Sequence, residues 1–361
     1  MITTLVAPSP AVVARASCPL DGDSSPALHA SHPSNQPTFT RQSGKGPFHI
    51  ILLPGLVPDG PETFLRQAHT LRRHGSTAVV TYPYADFHLD ILITAVEDEI
   101  TSAVAAGRRP VLVGVSVGGG FALEVLRRAR AAGRTLPLAA VLLISPFTCA
   151  GDLSPLLRRL YDGIVGEQDR GAEGDPAAAL ERGRAFFKTL AGRSAPARAT
   201  VGRLRSLFQL FTPHGLAELS ERRLRARIEK TLNAIPAQGA IARTMALRQL
   251  PGIAGGPRGQ GPLSTVPTLI LWGSKERHTL DMDGPGTSLL CRPDLAYRLF
   301  SDCEVHWVYG DNGDEVPHAS LLKHHQPFNR LIGGFLGRIG RRHSTFAGFA
   351  RWAPLRAAGA I

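Results

Sequence analysis

The sequence predicts an α/β fold, a mostly parallel sheet with helices on both faces. Two observations predict it. Short apolar runs alternate along the chain with segments whose apolar residues recur at helical spacing. Within each run nearly every residue is apolar, rather than every second one, as strands covered on both faces require. The alternation lapses over residues 151–260, where arginine-rich helical stretches replace it.

Taken in order, HIILLPG (49–55) is the first strand, closed by Pro-Gly. Residues 61–74 follow as a helix with Phe64, Leu65, Ala68 and Leu71 at helical spacing. STAVVTYP (76–83) is a strand, and residues 89–106 a helix carrying Ile91, Ile93, Val96, Ile100 and Val104. RPVLVGVS (109–116), a helix over 119–132 and PLAAVLLISPF (137–147) complete the first half. After the helical insertion, PGIAGGPRGQGP (251–262) reads as a linker. TVPTLILWG (265–273), a helix over 294–300, CEVHWVYG (303–310) and a helix over 319–338 resume the pattern. The expected organisation is a disordered leader at 1–46, a core from 47–150 and 263–340, a helical cap at 151–262 and a basic tail at 341–361.

Composition bounds the function. The chain has 361 residues, 43% of them hydrophobic and 19% charged, which suits a globular protein with a large core. No run of about 18 apolar residues occurs, so no membrane-spanning helix is expected. Cys18, Cys149, Cys291 and Cys303 form no C-x-x-C pair, which argues against a zinc ribbon, a dithiol redox site or a disulfide scaffold. The N-terminal stretch makes a poor secretory signal, so the expected location is the cytoplasm. The net charge is +12, and residues 151–266 hold 18 basic and 10 acidic residues, two-thirds of the excess. The arginines are not interleaved with aromatics, so nucleic acid is not the expected partner.

Gly114-Val115-Ser116-Val117-Gly118 matches G-x-S-x-G where an apolar run ends and a helix begins. A serine forced into a strained turn at positive φ needs small neighbours two residues to either side, and the turn lifts its hydroxyl above the sheet edge. The competing reading is a glycine-rich nucleotide-binding turn, but the lysine of a phosphate loop is missing.

From Phe48 to about Leu336 the chain resembles the α/β-hydrolase superfamily. The resemblance rests on LLPGL (52–56), the turn at Ser116, WGSKE (272–276) and VPH (316–318), in that chain order. It implies Ser116 as nucleophile and His318 as its base. Glu276, three residues beyond Gly273, is the implied acid, with Asp281, Asp283 and Asp152 as alternatives. The implied oxyanion donors are the backbone N–H groups of Leu56 and Val117. Such chemistry calls for neither a cofactor nor a metal. The expected function is a serine hydrolase acting on an ester or thioester through an acyl-enzyme. An acyltransferase and a non-catalytic binding protein on the same fold stand as alternatives. The expected partner is a small acyl substrate, with an anionic head suggested by the basic insertion. Leu156, Leu157, Phe186, Phe187, Leu207, Phe208 and Phe211 are candidates to line its acyl pocket.

Overall fold

The structure is a computed structural model that describes residues 36–56, 60–83, 87–169, 237–253 and 261–352, with isolated positions between 175 and 226. Seven strands form one sheet: β1 (Thr38–Gln42), β2 (Phe48–Leu53), β3 (Gly75–Thr81), β4 (Arg109–Val115), β5 (Ala140–Ile144), β6 (Thr268–Gly273) and β7 (Cys303–Val308). Their order is β1-β3-β2-β4-β5-β6-β7. Only β1 runs antiparallel to its neighbour; the other pairings are parallel. Among the described residues the helices of seven or more residues are α1 (Ala68–His74), α2 (Leu89–Ala105), α3 (Val117–Ala131), α4 (Pro155–Asp169), α5 (Ala237–Arg248), α6 (Pro293–Leu299) and α7 (His325–Trp352).

Side chains alternate across a strand, so each continuous apolar run feeds two cores. Ile51, Leu53, Leu112, Leu143, Ile270 and Trp272 enter the core shared with α2, α3, α4 and α5. Ile50, Leu52, Val111, Val113, Leu142 and Leu271 enter the core covered by α1 and α7. On α7 the buried residues Phe328, Ile332, Phe335 and Ile339 recur every three or four positions, as a helix with one apolar face requires. β2 lies between β3 and β4, so the chain turns opposite ways on leaving β2 and β4. Their carboxyl ends therefore open a crevice at this switch point, the usual ligand position in an open α/β sheet.

Four expectations need correction. The leader was expected to be disordered to residue 46, yet Thr38–Gln42 is an edge strand on β3. Its residues are mostly exposed and polar, so no apolar run marked it. Besides its ladder with β3, a side chain holds it, since Arg41 donates from Nε to Glu99 Oε1 at 3.1 Å and from its terminal nitrogen to Oε2 at 2.5 Å. The helix expected over 61–74 is a 3-10 turn (Gly60–Phe64) followed by α1, leaving Leu65 at 44% exposure. The last helix starts at His325 rather than 319, because Ala319 has φ 46° and no helix passes through that conformation. It also runs to Trp352, so the boundary placed between core and tail at 340 falls inside it.

Glu99 joins β1, α2 and β2. Its carboxylate is buried, and besides Arg41 it pairs with His49 Nε2 at 2.8 Å, while His49 Nδ1 meets Ser76 Oγ at 2.9 Å. Burial pushes the Glu99 carboxyl up, but hydrogen bonds from His49 and Arg41, with their charges, outweigh it and hold it at about 2. A depressed folded-state value means the contribution is complete above the ordinary carboxyl value of 4.5 and fades as pH falls toward about 2. Glu99→Gln should therefore cost about 1–3 kcal/mol in urea unfolding at neutral pH. Its deficit against wild type should shrink through that acid window, and a deficit independent of pH would disprove the linkage.

Candidate active site

Ser116 sits between β4 and α3 at φ 54°, ψ −121°. The glycines around it answer to backbone crowding. A Cβ on Gly114 would overlap the Gly118 carbonyl, and one on Gly118 would overlap the carbonyl oxygens of Leu53 and Pro54. A Cβ on Gly119 would stand 2.8 Å from the Pro146 Cβ. The turn is gripped by the chain leaving β5. Ser116 N–H donates to Ile144 O at 2.8 Å, and Phe147 N–H donates to Ser116 O at 3.0 Å. Ser116 is half-buried, so its hydroxyl keeps access to the crevice.

The structure brings Ser116, His318 and Glu276 together. His318 Nε2 lies 2.8 Å from Ser116 Oγ, and its Nδ1 lies 2.5 Å from Glu276 Oε2. An ionised carboxylate only accepts, so Nδ1 carries the proton and Nε2 is left to accept from the serine hydroxyl. Glu276 has no solvent exposure, and a buried carboxylate must be saturated with donors. Its Oε1 accepts from Gly273 N–H at 2.8 Å and from the Ser145 hydroxyl.

Two loops hold this pair in register. Glu276 opens a 3-10 turn just beyond β6, and His318 follows β7. Lys275 N–H donates to Val316 O at 2.9 Å, Val316 N–H donates to Ser274 Oγ at 2.8 Å, and Lys275 pairs with Glu315. A Cβ on Gly273 would come within 2.6 Å of the Val316 and Pro317 carbonyl oxygens, so only glycine lets the loops approach this closely.

The alternative acids lie elsewhere. Asp152 is fully buried but acts as a clamp. It accepts from Thr148 N–H (3.0 Å), the Thr148 hydroxyl (2.6 Å), Gly286 N–H (2.8 Å) and Thr287 N–H (3.1 Å). Asp281 accepts the N–H of Asp283 at 3.1 Å, and Asp283 is exposed. Other histidines are placed away from Ser116: His306 pairs with Glu304 in β7, and His324 with Ser320.

The Pro54-Gly55-Leu56 turn passes over the serine, since a Cβ on Gly55 would lie 3.5 Å from Ser116 Cβ. Leu56 is buried there, and Val117 opens α3, where its N–H has no acceptor within the helix. The buried Tyr82 hydroxyl donates to Pro54 O at 2.8 Å and so fixes the turn. The Tyr82 ring is itself wedged edge-on against Phe87 and Phe121, with centroids 5.8 and 5.5 Å away. Sequence reading missed both Tyr82 and Ser145. The available signals were a polar-tipped residue directly after an apolar strand, in Tyr-Pro (82–83) and Ser-Pro (145–146). Among the described residues no cluster of three or more metal-ligating side chains occurs. No helix among them is long and apolar enough to cross a membrane.

No protein-family model and no curated protein sequence matches the chain. Solved structures are similar to it. An esterase from Exiguobacterium antarcticum is 14% identical with a TM-score of 0.53, over 83% of this chain and 95% of that one. A thermophilic esterase from Thermogutta terrifontis is 14% identical with a TM-score of 0.52, over 84% and 94%. An alpha/beta hydrolase enzyme from a Medee basin deep-sea metagenome library is 13% identical with a TM-score of 0.54, over 83% and 94%. At these identities the shared property is the architecture, which agrees with the switch-point crevice and the strand–Ser116–helix turn: the chain has the α/β-hydrolase fold.

Proposed function

We propose that the protein is a serine hydrolase that cleaves a carboxylic ester or thioester through an acyl-enzyme. The observation that carries this reading is the hydrogen-bonded relay from Ser116 Oγ through His318 to the buried Glu276. In the first step Ser116 Oγ attacks the acyl carbon and its proton passes to His318 Nε2. The carbonyl π pair moves onto oxygen, where the N–H groups of Leu56 and Val117 are the proposed donors. That pair returns, the bond to the leaving oxygen or sulfur breaks, and the leaving group takes the proton from Nε2. Water repeats the sequence on the acyl-serine, giving the carboxylic acid and free Ser116. Glu276 remains ionised throughout and stabilises the imidazolium. None of these steps draws on a cofactor.

The cap over the crevice belongs to the same proposal. Of the expected insertion, α4 and α5 are described; their residues Leu157, Tyr161, Ile164 and Leu247, with Leu250 just beyond α5, join the core on the α2–α3 face. Leu157 is fully buried within that core and Leu156 is 46% exposed at the surface. Phe186, Phe187, Leu207, Phe208 and Phe211 lie outside the described residues. A cap this basic would draw in an acyl group bearing a negative charge.

Ser116→Ala should lower hydrolysis of p-nitrophenyl acetate by roughly four to six orders of magnitude and abolish fluorophosphonate labelling while the protein stays folded. Retained hydrolysis in the purified variant would refute the reading in favour of a binding protein. Glu276→Gln should cost about 10⁴-fold in kcat, as loss of the tautomer-fixing carboxylate does elsewhere. Asp281→Asn and Asp283→Asn should stay within a few-fold of wild type. For the cap, matched anionic and neutral acyl esters compared at low and high salt provide the test. The anionic ester should have the higher kcat/KM, by an advantage that shrinks as salt screens the field. Equal values at both ionic strengths would leave the arginines as a solvated surface.

A further inference from the structure

The four residues leaving β5, Ile144-Ser145-Pro146-Phe147, engage Ser116, Glu276 and the residue after His318. Ile144 O and Phe147 N–H grip the backbone of Ser116 from both sides. Between them Ser145, fully buried, donates its hydroxyl to Glu276 and accepts the N–H of Ala319, the residue after His318, at 3.1 Å. Its own N–H donates to Leu271 O of β6 at 2.7 Å. We propose that Ser145 is a positioning residue that orients the Glu276 carboxylate toward His318 and ties the His318 loop to the nucleophile turn. This rests on the hydrolase reading above and deepens it.

A serine hydroxyl has one proton and two lone pairs. The Ala319 N–H occupies a lone pair, and an ionised carboxylate has no proton to give, so the Ser145 proton points at Glu276 Oε1. A carboxylate turns in a broad, nearly two-fold torsional well, which leaves its plane poorly defined by a single donor. Here Oε1 takes two donors of different origin, the Ser145 hydroxyl and Gly273 N–H, and Oε2 is left to His318 Nδ1. Removing the hydroxyl leaves Gly273 N–H alone on Oε1 and strands the Ala319 N–H in a buried place.

Backbone conformation supplies an independent observation. Ser145 has φ 46° and Ala319 has φ 46°, and with Ser116 they are the described non-glycine residues at positive φ. All three therefore lie within this one hydrogen-bonded group. Glycine would occupy position 145 with less strain. A serine there meets a need that the backbone alone does not: its hydroxyl reaches Glu276 and the Ala319 N–H.

The two conformational and chemical demands separate in a pair of variants of the full chain. Ser145→Ala removes the hydroxyl and keeps the strain; Ser145→Gly removes both. The proposal expects kcat for p-nitrophenyl acetate to fall about 10–100-fold in both, the scale of a modest loss of alignment, with KM little changed. The rate of fluorophosphonate labelling should fall in parallel. Thermal unfolding should place Ser145→Gly above Ser145→Ala, although its activity is no better. Ser145→Cys, similar in shape but a weaker donor, should recover part of the rate. The proposal is overturned if Ser145→Gly turns over and labels like wild type, or if activity across the three variants follows their melting temperatures. Ser116→Ala run alongside keeps the two readings apart. Activity surviving in that variant defeats the hydrolase assignment, whereas an inactive Ser116→Ala beside a fully active Ser145→Gly defeats only the role of Ser145.

Discussion

The site depends on how closely the turn at Ser116 packs against its neighbours. With φ at 54°, the residue brings the start of α3 back against the ends of β2 and β5. Gly114, Gly118, Gly119 and Gly120 each lack a Cβ where a backbone or proline atom already stands within 3 Å. Such contact cannot be relieved by a side-chain rotation, since the obstructing atoms are mostly carbonyls. The reward is geometric: the hydroxyl stands at the switch point between β2 and β4, and β5 is near enough to hold the serine backbone from both sides.

Buried carboxylates show how the same group is put to different uses by its donors. Asp152 is enclosed by four donors from two loops and is left with nothing to offer a histidine. Glu99 also belongs to a Ser–His–Glu chain, through His49 and Ser76, at the amino ends of the strands. There Arg41 occupies both carboxylate oxygens, and Ser76 lies inside the regular strand β3 rather than on a strained turn. Only at Glu276 does one oxygen hold two structural donors while the other is given wholly to an imidazole whose far nitrogen meets a half-buried serine. Composition of the trio is therefore not what sets the Ser116 relay apart; the strained turn and the unequal loading of the carboxylate are.

The second layer around the site is made of groups that fix other groups. Tyr82 holds the Pro54 carbonyl and with it the turn carrying Leu56, and its ring is immobilised by Phe87 and Phe121. The stitched loops at Lys275 and Val316 set the spacing of Glu276 and His318. Both arrangements set polar atoms against main-chain partners, which costs little entropy because the backbone is already ordered.

The sequence by itself determined the layer order and the location of the site. Continuous apolar runs such as Ile50–Leu53 and Val111–Val115 can bury both faces only inside a covered parallel sheet, and G-x-S-x-G at a strand end leaves few conformations to the serine. Ser116, Glu276 and His318 were also legible as candidates, through motif order in a resembling family. What lacked a periodic or motif signal was decided only by tertiary structure. β1 is tied down by an arginine reaching a glutamate 58 positions away, and the positive φ at Ala319 delays the final helix to His325. Which of four acids meets His318, and the presence of Ser145 and Tyr82 beside the site, likewise follow from contacts across strands distant in sequence. Local sequence encodes burial and turn preference, because those act within a few residues. The pairing of one buried donor with one buried acceptor is settled only when the sheet has brought their backbones together.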